Sequence, residues 1–348
     1  MDDTLTISVD QARCACEAAL ERAGAPQEHA ALQADLLIEA ELRGRSSHGL
    51  MRLERIIARI GNGVADPLAS GRRTWRSTSL LQVDGERGLG PVVACSALDA
   101  LSARVAQTGV ALAAIANNNH LGMLAWYAER VARDGQLLIA LSTSEALVHP
   151  WGGRRALIGT NPVAIGIPAA PQPFVLDMAT SLVSMGEIHN RALQGRPIPE
   201  SWALDEAGNP TTDAAAAVKG AIAPFGGAKG YALGLAFELL VATLTASAVG
   251  RDVRGTLDAV NICNKGDVFI MIDAGASAAT ARLVGDFLAL LRADPPADGF
   301  DAIAVPGDRS AATRAGRMRD GIPVAPVVRR RLLELAELPQ HFFGDKGQ

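Results

Sequence analysis

The sequence predicts a helical N-terminal part followed by a domain that mixes strands and helices, of the α/β or α+β class. Apolar residues recur at helical spacing through the first 63 residues. After Pro67, short apolar strands alternate with helices, as in a sheet covered by helices. No G-x-G-x-x-G motif stands between a strand and a helix, so any nucleotide is expected to bind without a Rossmann fingerprint.

Three helices are predicted at the N-terminal end. Ser8 and Gln11 have the spacing of a capping box, and Pro26 suits the first turn of a helix. The hydroxyl pair Ser46-Ser47 is a natural N-cap. These signals predict helices over residues 8–23, 26–44 and 46–63.

The rest of the chain is predicted as alternating elements. The strands are 78–84, 110–116, 136–142, 157–167, 173–177 and 267–273, and the helices are 91–106, 120–134, 230–249, 279–293, 314–319 and 327–337. The apolar stretch 230–249 only reaches the minimum length of a membrane span and carries Glu238, so we expect a buried core helix and no membrane partner. The Pro/Gly/Asp-rich stretch 194–220 predicts a long surface loop.

Composition excludes several classes of function. The net charge is −4 and the basic residues are scattered, which argues against a nucleic-acid partner. Cys14, Cys16, Cys95 and Cys263 form no zinc-type spacing, so no metal is predicted and reduced thiols in the cytoplasm are expected. Residues 1–4 are acidic and lack the pattern of a signal peptide.

The stretch around Ser47 carries the first candidate site. His48 and Arg52 are four residues apart, which would place both on one side of the predicted third helix. A histidine that passes a proton beside an arginine that grips a carboxylate suits an enzyme of small 2-oxo or 2-hydroxy acids. The alternative is a solvated polar stripe that also includes Arg55 and Arg59.

Three loops could bind a nucleotide, and each has a plainer alternative. Asn117–Gly122 could hold a phosphate or form an Asn-rich cap. Asp177–Ser181 could accept ribose hydroxyls or cap a helix. Pro224–Gly230 could cradle a phosphate with Lys229 as a point charge, or form a flexible turn.

Together with further motifs, these stretches stand in a distinctive order. The motifs are Ser46-Ser47-His48-Gly49 with Arg52, Asn119-His120-Leu121-Gly122, Trp151-Gly152-Gly153, Gly159-Thr160-Asn161-Pro162, Asp177-Met178-Ala179-Thr180-Ser181, Pro224-Phe225-Gly226-Gly227 with Lys229-Gly230, and Pro306-Gly307-Asp308-Arg309. Over residues 8–340 this order resembles the malate/L-lactate dehydrogenase family. That family includes ureidoglycolate and sulfolactate dehydrogenases, diketogulonate reductase and reductases of cyclic imino acids.

The resemblance implies a fold and an assembly. It implies a helical domain built from both termini (residues 1–70 and 310–348) and a central non-Rossmann α/β domain (residues 71–309) that binds NAD or NADP. It also implies a homodimer with the active site in the cleft between the domains.

The resemblance also assigns residues. The positions that match cofactor contacts are His120, Leu121, Gly122, Met123, Leu124, Ser144, Asp177, Met178, Ala179, Lys229, Gly307, Asp308 and Arg309. The positions that match the substrate side are Arg52, Thr160, Met185 and Gly186.

The resemblance leaves two proton donors open. In the imino-acid reductases the family pattern implies a Ser-His-Asp relay, which here would be Ser47, His48 and Glu187. The ureidoglycolate branch assigns the role to the histidine that matches His120. Many members have Arg-Gly-Lys where this chain has Met185-Gly186-Glu187, and the exchange of Lys for Glu favours imine chemistry slightly.

The resulting prediction is an NAD(P)-dependent oxidoreductase that moves a hydride to or from C2 of a small 2-oxo or 2-hydroxy acid, or of a cyclic 2-imino acid. An idle nucleotide-binding module is a second alternative. A hydrolase using Ser47 and His48 is rejected because neighbours on one helix should not point at each other, and because no G-x-S-x-G or oxyanion-hole motif accompanies them.

Overall fold

The computed structural model describes residues 5–273, 275 and 277–344. Residues 1–4, on which the signal-peptide prediction rests, lie outside this part. The described helices are α1 (Val9–Arg22), α2 (Gln27–Leu42), α3 (Leu53–Gly61), α4 (Gly90–Thr108), α5 (Leu124–Arg133), α6 (Met185–Leu193), α7 (Ala214–Val218), α8 (Ala228–Thr245), α9 (Ala278–Ala293), α10 (Asp308–Asp320) and α11 (Pro326–Ala336). The described strands are β1 (Leu5–Ile7), β2 (Arg72–Trp75), β3 (Leu80–Asp84), β4 (Val110–Ala116), β5 (Leu137–Ser142), β6 (Val163–Ile167), β7 (Phe174–Met178), β8 (Ala203–Leu204), β9 (Ala221–Ile222), β10 (Asp267–Ile272) and β11 (Ile322–Val324).

The centre of the protein is a mixed seven-stranded sheet in the order β2-β3-β4-β10-β5-β6-β7. Across the described residues β3 and β4 are its one parallel pair, and the other neighbours run antiparallel. A doubly wound dinucleotide fold would instead be mostly parallel. The predicted α/β fold without a Rossmann sheet is therefore confirmed.

Period-two alternation builds a core on each face of the sheet. On β10, Phe269 and Met271 pack into the cluster with α4 and α5, whereas Val268 and Ile270 face the opposite cluster with α8. Successive strand side chains point to opposite faces, so a strand covered on both sides is apolar throughout. The sheet is thereby held between two helical layers.

The two ends of the chain share one helical core. Ser8 caps α1 through a capping box in which its Oγ accepts the Gln11 N–H at 3.1 Å, while the Gln11 side chain accepts the Ser8 N–H at 2.9 Å. β1 pairs antiparallel with β11. Side chains from both ends, among them Leu20 and Leu333, pack in the same cluster. The limits of the predicted domains at residues 70 and 310 stay a prediction.

The predicted continuous helix over 46–63 is wrong. Two 3₁₀ turns, Ser46–His48 and Leu50–Arg52, precede α3 and are separated at Gly49. Glu41 fixes this shape, because its carboxylate accepts the Ser46 hydroxyl at 2.8 Å and the Leu50 N–H at 3.0 Å. A Cβ on Gly49 would lie 2.4 Å from that carboxylate, so a larger residue would displace the Glu41 side chain and its hydrogen bonds.

Two other expectations are corrected. Residues 194–220 are not an unstructured loop, since α7 and β8 lie there and bury Ile198, Ala203 and Ala217 in a small core. α8 is not buried on all sides. The residues that it buries are Gly230, Gly234, Glu238 and Val241. Only 22% of the residues of Ala228–Thr245 are buried. By length and composition alone α8 could cross a membrane.

Candidate active site

A cleft opens where the helical part meets the N-terminal end of α4 and the loop after β4. Its polar lining includes His48, Arg52, Arg55, Arg59 and His120. Leucine side chains from α2 form an apolar wall. The described residues that line this cleft include no aspartate or glutamate. The predicted polar stripe thus faces a cleft and not open solvent.

The two candidate histidines meet in this cleft. The rings of His48 and His120 have centroids 5.5 Å apart and are tilted by 39°. His120 Nδ1 accepts the Gly122 N–H at 2.9 Å, so the neutral ring of His120 carries its proton on Nε2. That proton points away from the Gly122 backbone and is available to a ligand.

Both histidines are held neutral. Burial, followed by the charges of Arg52 and Arg45, lowers the pKa of His48 to about 4. Burial, followed by the charges of Arg52 and His48, lowers the pKa of His120 well below its ordinary value. At neutral pH both imidazoles are therefore uncharged, and His120, whose Nδ1 already accepts the Gly122 N–H, offers its Nε2–H to the cleft as a donor.

The predicted relay is formed only in part. Ser47 Oγ and His48 Nδ1 are hydrogen-bonded at 2.9 Å, so the argument that these neighbours cannot meet is wrong. They meet because the 3₁₀ turn replaces the α-helix that the argument assumed. Glu187 accepts Arg191 Nε at 2.9 Å on its own helix, and no hydrogen bond joins it to His48 in the part of the chain described here.

The start of α6 nevertheless packs against this turn. Ser184 caps α6 by accepting the Glu187 N–H. A Cβ placed on Gly186 would lie 3.2 Å from the Ser47 Cβ. Met185 is the first residue of α6 and is half-buried beside the small core of residues 147–235. Gly186 is thus close to Ser47, whereas Met185 packs on the small core, and the substrate-side role of both residues stays a prediction.

Arg52 is held by carbonyl oxygens. Its Nε donates to Ser47 O at 2.8 Å and its Nη1 donates to Thr256 O at 3.3 Å. Burial and the charge of Arg55 lower the pKa of Arg52 to about 10. Within the described residues no carboxylate lies within ion-pair distance of this guanidinium. A bound anion would supply the missing charge.

The Asn-rich turn before His120 serves the fold. Asn119 Oδ1 accepts Arg59 Nε at 2.8 Å, and Asn119 Nδ2 donates to Arg87 O and Gly88 O. A Cβ on Gly90 would lie only 2.1 Å from His120 O, so α4 begins directly against this turn. The turn is fixed from several directions, and His120 is presented to the cleft.

The predicted cofactor segment at 120–124 is a loop, not the start of a helix. Leu121, Met123 and Leu124 are buried, and α5 begins at Leu124. Gly122 is half-buried and packs against α2, where a Cβ would lie 2.3 Å from a Leu36 methyl carbon. The segment therefore offers backbone groups and His120 more than apolar side chains.

Hydroxyl-bearing residues from three segments meet beside the sheet. Ser144 Oγ lies 3.1 Å from Thr160 Oγ1 and also accepts the Thr160 N–H at 2.9 Å. Thr180 Oγ1 donates to Thr160 O at 2.9 Å. The buried Glu238 of α8 accepts the Gly159 N–H at 3.0 Å and thereby fixes the Thr160 segment. The predicted positions Ser144 and Thr160 are adjacent in space.

Asp177 lies at the end of β7 and caps α5. Its Oδ2 accepts the Ala125 N–H at 2.9 Å, and burial raises its pKa. Met178 and Ala179 follow it, both half-buried. Gly307 approaches the same strand, since a Cβ there would lie 3.5 Å from Val175 O. The two predicted cofactor segments, 177–179 and 307–309, therefore border one region.

The remaining predicted cofactor residues differ in how far they are engaged. Asp308 is already occupied, because both its oxygens accept Arg292 at 2.8 and 2.9 Å and one also accepts the Val305 N–H. Arg309 is exposed. Lys229 is exposed in the first turn of α8, with no ion pair to any described residue. Lys229 is thus free to meet an anion.

One polar cluster was missed by sequence reasoning. Lys265 and Asp267, which are 1% and 0% exposed, form a buried ion pair at the start of β10. Ser142 Oγ donates to Asp267 at 2.7 Å and Asn118 Nδ2 donates to it at 3.3 Å. Asn118 Oδ1 is buried without a partner. The period-two spacing of Lys265 and Asp267 before an apolar strand was the signal available in the sequence.

The amino-acid sequence is similar to those of known dehydrogenases. A sequence model described as malate/L-lactate dehydrogenase matches residues 7–333. An L-sulfolactate dehydrogenase of Methanocaldococcus jannaschii is 34% identical over 319 residues, which are 91% of this chain and 92% of that protein.

Solved structures are also similar. A dehydrogenase from Sinorhizobium meliloti has a TM-score of 0.92 and 52% identity, over 96% of this chain and 99% of that chain. A δ1-piperideine-2-carboxylate reductase from Pseudomonas syringae pvar. tomato has a TM-score of 0.85 and 30% identity, over 95% of this chain and all of that one. The relatives share a fold and differ in the substrate that their names give.

Proposed function

The chain belongs to the malate/L-lactate dehydrogenase family and is an oxidoreductase, and from that premise we propose that it moves a hydride between NAD(P) and C2 of a small 2-oxo or 2-hydroxy acid. The observation that carries this proposal is Arg52. Its guanidinium lacks a carboxylate partner among the described residues and lines the same cleft as His48 and His120. A substrate carboxylate at Arg52 would place C2 beside two groups that can move a proton.

The residues present fit a nicotinamide cofactor. Lys229 is an exposed cation without an ion pair in the described chain, and Asn118 Oδ1 is a buried acceptor without a partner. Leu121–Leu124, Ser144 and Asp177 would hold the remaining parts of the nucleotide. When bound, the nicotinamide supplies or accepts the hydride, and the protein orients the acid and handles the proton.

We propose that His48 is the residue that accepts and donates the proton. In the direction of oxidation, neutral His48 accepts the proton of the substrate hydroxyl, and Ser47 fixes its ring through Nδ1. In the direction of reduction, the substrate carboxylate offsets the positive charge of Arg52. Besides burial, this charge lowers the pKa of His48 in the free protein. Protonation of His48 therefore becomes easier once the acid is bound.

Asparagine variants test this assignment. His48→Asn is expected to lower kcat by about 10²- to 10⁴-fold, as for loss of a positioned acid or base. His120→Asn is expected to cost much less. If His120→Asn alone removes the pH-dependent limb of kcat, the proton belongs to His120.

A panel of substrates tests the reaction itself. We expect oxidation of NADH or NADPH with at least one 2-oxo acid among pyruvate, oxaloacetate and 2-oxoglutarate, and the preferred cofactor follows from the same assay. Failure of every 2-oxo acid with both cofactors would contradict the proposal.

Reduction of a cyclic 2-imino acid is the second candidate. The Ser47–His48 hydrogen bond supports it, because this pair is two thirds of the relay that the imino-acid reductases imply. Turnover of piperideine-2-carboxylate or pyrroline-2-carboxylate without turnover of 2-oxo acids would favour it.

We also propose a homodimer. Exposed apolar side chains lie on α8 (Leu233, Leu239, Leu240) and on α9 (Leu283, Phe287, Leu290), and an exposed apolar surface larger than a few hundred Å² commonly marks an interface. Light scattering should give twice the chain mass. Leu239→Glu with Phe287→Glu should give the monomer mass, whereas Val327→Glu, at an exposed apolar site on α11, should not. A wild-type monomer at micromolar concentration would contradict the dimer.

We also propose that the two domains meet at residues 70 and 310 and that the protein is cytoplasmic. The four cysteines Cys14, Cys16, Cys95 and Cys263 are free thiols, as a reducing compartment favours. Cell fractionation followed by activity assay tests the location, and activity confined to a periplasmic or membrane fraction would contradict it.

A further inference from the structure

On the basis of the function proposed above, we propose that Glu145 is a positioning residue of the substrate site. Glu145 is half-buried and is not among the described residues that line the cleft. Its carboxylate holds residues 255–260, here called the bridging loop, and the backbone of this loop in turn holds Arg52. Glu145 thereby directs the guanidinium of Arg52 towards the acid without touching the acid itself.

The first step is the contact between Glu145 and the bridging loop, which forms no helix or strand of its own. Thr256 of this loop is 4% exposed and lines the cleft. One oxygen of the Glu145 carboxylate accepts the Thr256 N–H at 2.8 Å, the Thr256 hydroxyl at 3.1 Å and the Leu257 N–H at 2.9 Å. Hydrogen bonds to an ionised acceptor are stronger than neutral ones, so these contacts fix the backbone at Thr256.

The second step passes through a single peptide group. The Leu257 N–H that Glu145 accepts belongs to the same planar unit as the Thr256 carbonyl oxygen, to which Arg52 Nη1 donates at 3.3 Å. This peptide bond is trans, so its N–H and C=O point in opposite directions. Holding the N–H at Glu145 therefore aims the carbonyl oxygen at Arg52. Without the carboxylate, this peptide group is free to rotate away from the guanidinium.

The bridging loop is also held from the helical part of the molecule. Arg59 Nη1 donates to Asp258 O at 2.9 Å, and Asn62 Nδ2 donates to Ala259 O at 2.9 Å. Arg59 lies in α3 and Asn62 directly follows it. Glu145 follows β5 in the chain, so its carboxylate joins the same loop to the sheet. The loop thus connects α3 with the sheet at the edge of the cleft.

Glu145 also connects Arg52 with Thr160, which is likewise predicted on the substrate side. Ser144 Oγ donates to Glu145 O at 3.2 Å and accepts the Thr160 N–H at 2.9 Å. The carboxylate of Glu145 continues this series of contacts to Thr256, and Thr256 continues it to Arg52. Two residues that are expected to hold one acid come from distant parts of the chain, and this series fixes their separation.

Kinetics of Glu145→Ala test the positioning role. A displacement of about 1 Å can cost about 10²-fold in rate, so kcat/KM for the acid should fall by roughly 10- to 100-fold. Glu145→Gln keeps an oxygen acceptor in the same place and should recover most of this loss. The control Asp205→Ala removes a half-buried carboxylate that accepts the Asn209 N–H at 2.9 Å, and it should match wild type. Wild-type kcat/KM in Glu145→Ala would overturn the proposal.

A double-mutant cycle with Arg52 separates positioning from a general effect on the fold. If Glu145 acts through Arg52, Glu145→Ala should cause no further loss of kcat/KM in the Arg52→Gln background. A carboxylate that merely stabilises the fold would lower kcat/KM by the same factor in both backgrounds. Such additive losses would show that Glu145 does not act through Arg52.

Hydrogen exchange tests the anchoring of the loop directly. In Glu145→Ala, the amides of Thr256 and Leu257 should exchange at least about tenfold faster than in wild type, because they lose their acceptor. Asp205→Ala should leave both amides unchanged. Wild-type exchange of both amides in Glu145→Ala would contradict the anchoring, whatever the kinetics show.

A binding measurement keeps this inference separate from the reaction. Oxamate, an analogue of a 2-oxo acid, is titrated by calorimetry into the protein with each reduced cofactor present. It should bind at least about tenfold less tightly to Glu145→Ala than to wild type, because Arg52 is no longer aimed at the carboxylate. If the wild type turns over no 2-oxo acid but shows this difference, the proposed reaction fails and the positioning role stands. Unchanged oxamate affinity in Glu145→Ala overturns the positioning role whether or not the enzyme turns over.

Discussion

Positive charge is neutralised by a carboxylate at the start of β10, whereas the described residues of the cleft provide no such carboxylate. Lys265 is buried and fully matched, since Asp267 neutralises it and Ser142 and Asn118 complete the carboxylate. In the cleft, Arg52 and Arg55 have no carboxylate among the described residues. A buried charge that the protein neutralises itself ties segments of the fold together. A charge that it leaves without a counter-ion is available to a ligand.

The largest effect is expected from breaking the matched pair. Asp267→Ala leaves Lys265 buried without a counter-ion, which typically costs about 3–5 kcal/mol of the free energy of unfolding. Urea denaturation measures this loss. The double variant Lys265→Met/Asp267→Leu, which removes both charges, should recover a large part of it. Wild-type stability of Asp267→Ala would mean that the ion pair does not help to hold β10 to Ser142 of β5 and to Asn118, which follows β4.

The reverse pattern is expected at Arg52. Arg52→Lys keeps the charge and loses the two-pronged contact with a carboxylate, so kcat/KM for the acid should fall by at least about tenfold. The melting temperature should stay near that of wild type, since the guanidinium forms no ion pair in the described chain. Normal kinetics with lowered stability would instead show that Arg52, like Lys265, stabilises the fold and does not bind the substrate.

The titration of His48 sharpens the comparison, because it reports the unmatched charge directly. Nuclear magnetic resonance should give a pKa of about 4 for His48 in the free protein. Arg52→Gln should raise this pKa, because it removes a nearby positive charge. Between that value and the unfolded value of about 6.5, the unfolded chain binds more protons, so this contribution to stability is lost as pH falls.

Glu187→Gln is the control for that titration. Glu187 is bonded to Arg191, so its replacement should leave the pKa of His48 unchanged. A clear fall in that pKa in Glu187→Gln would instead show that the full relay forms in solution.

The smallest effect is expected at Lys229, an unmatched cation outside the cleft. Lys229→Ala should raise the apparent KM for cofactor several-fold, because an exposed point charge contributes modestly. Its thermal stability should equal that of wild type. Unfolding without a specific change in cofactor KM would show that the loop shapes the fold.

Sequence patterns predicted the sheet well and the turns poorly. The strand 110–116 was found at its observed limits because it is a short, wholly apolar run bounded by Gly109 and Asn117. The break at Gly49 could not be predicted, because Glu41 of another helix causes it. Hydropathy also could not tell that α8 leaves one apolar side exposed.

The candidate site was predictable to a similar, partial degree. Motifs named His48, Arg52 and His120, and the cleft contains all three, although the helix expected to align them does not exist there. Arg55 was read as part of a solvated stripe, since spacing does not show which side of a helix another element covers. Lys265 escaped notice because lysine is rarely buried.

The pairing of β1 with β11 has a consequence for how the polypeptide is made. On the ribosome, Leu5–Ile7 emerges long before its partner Ile322–Val324, because the whole central sheet lies between them in the sequence. Until then the nascent chain carries an unpaired edge and helices whose apolar sides lack α11, the condition that favours wrong association. The helical core is therefore completed only once β11 and α11 have been synthesised, and a premature stop before β11 would destabilise β1 and α1 as well.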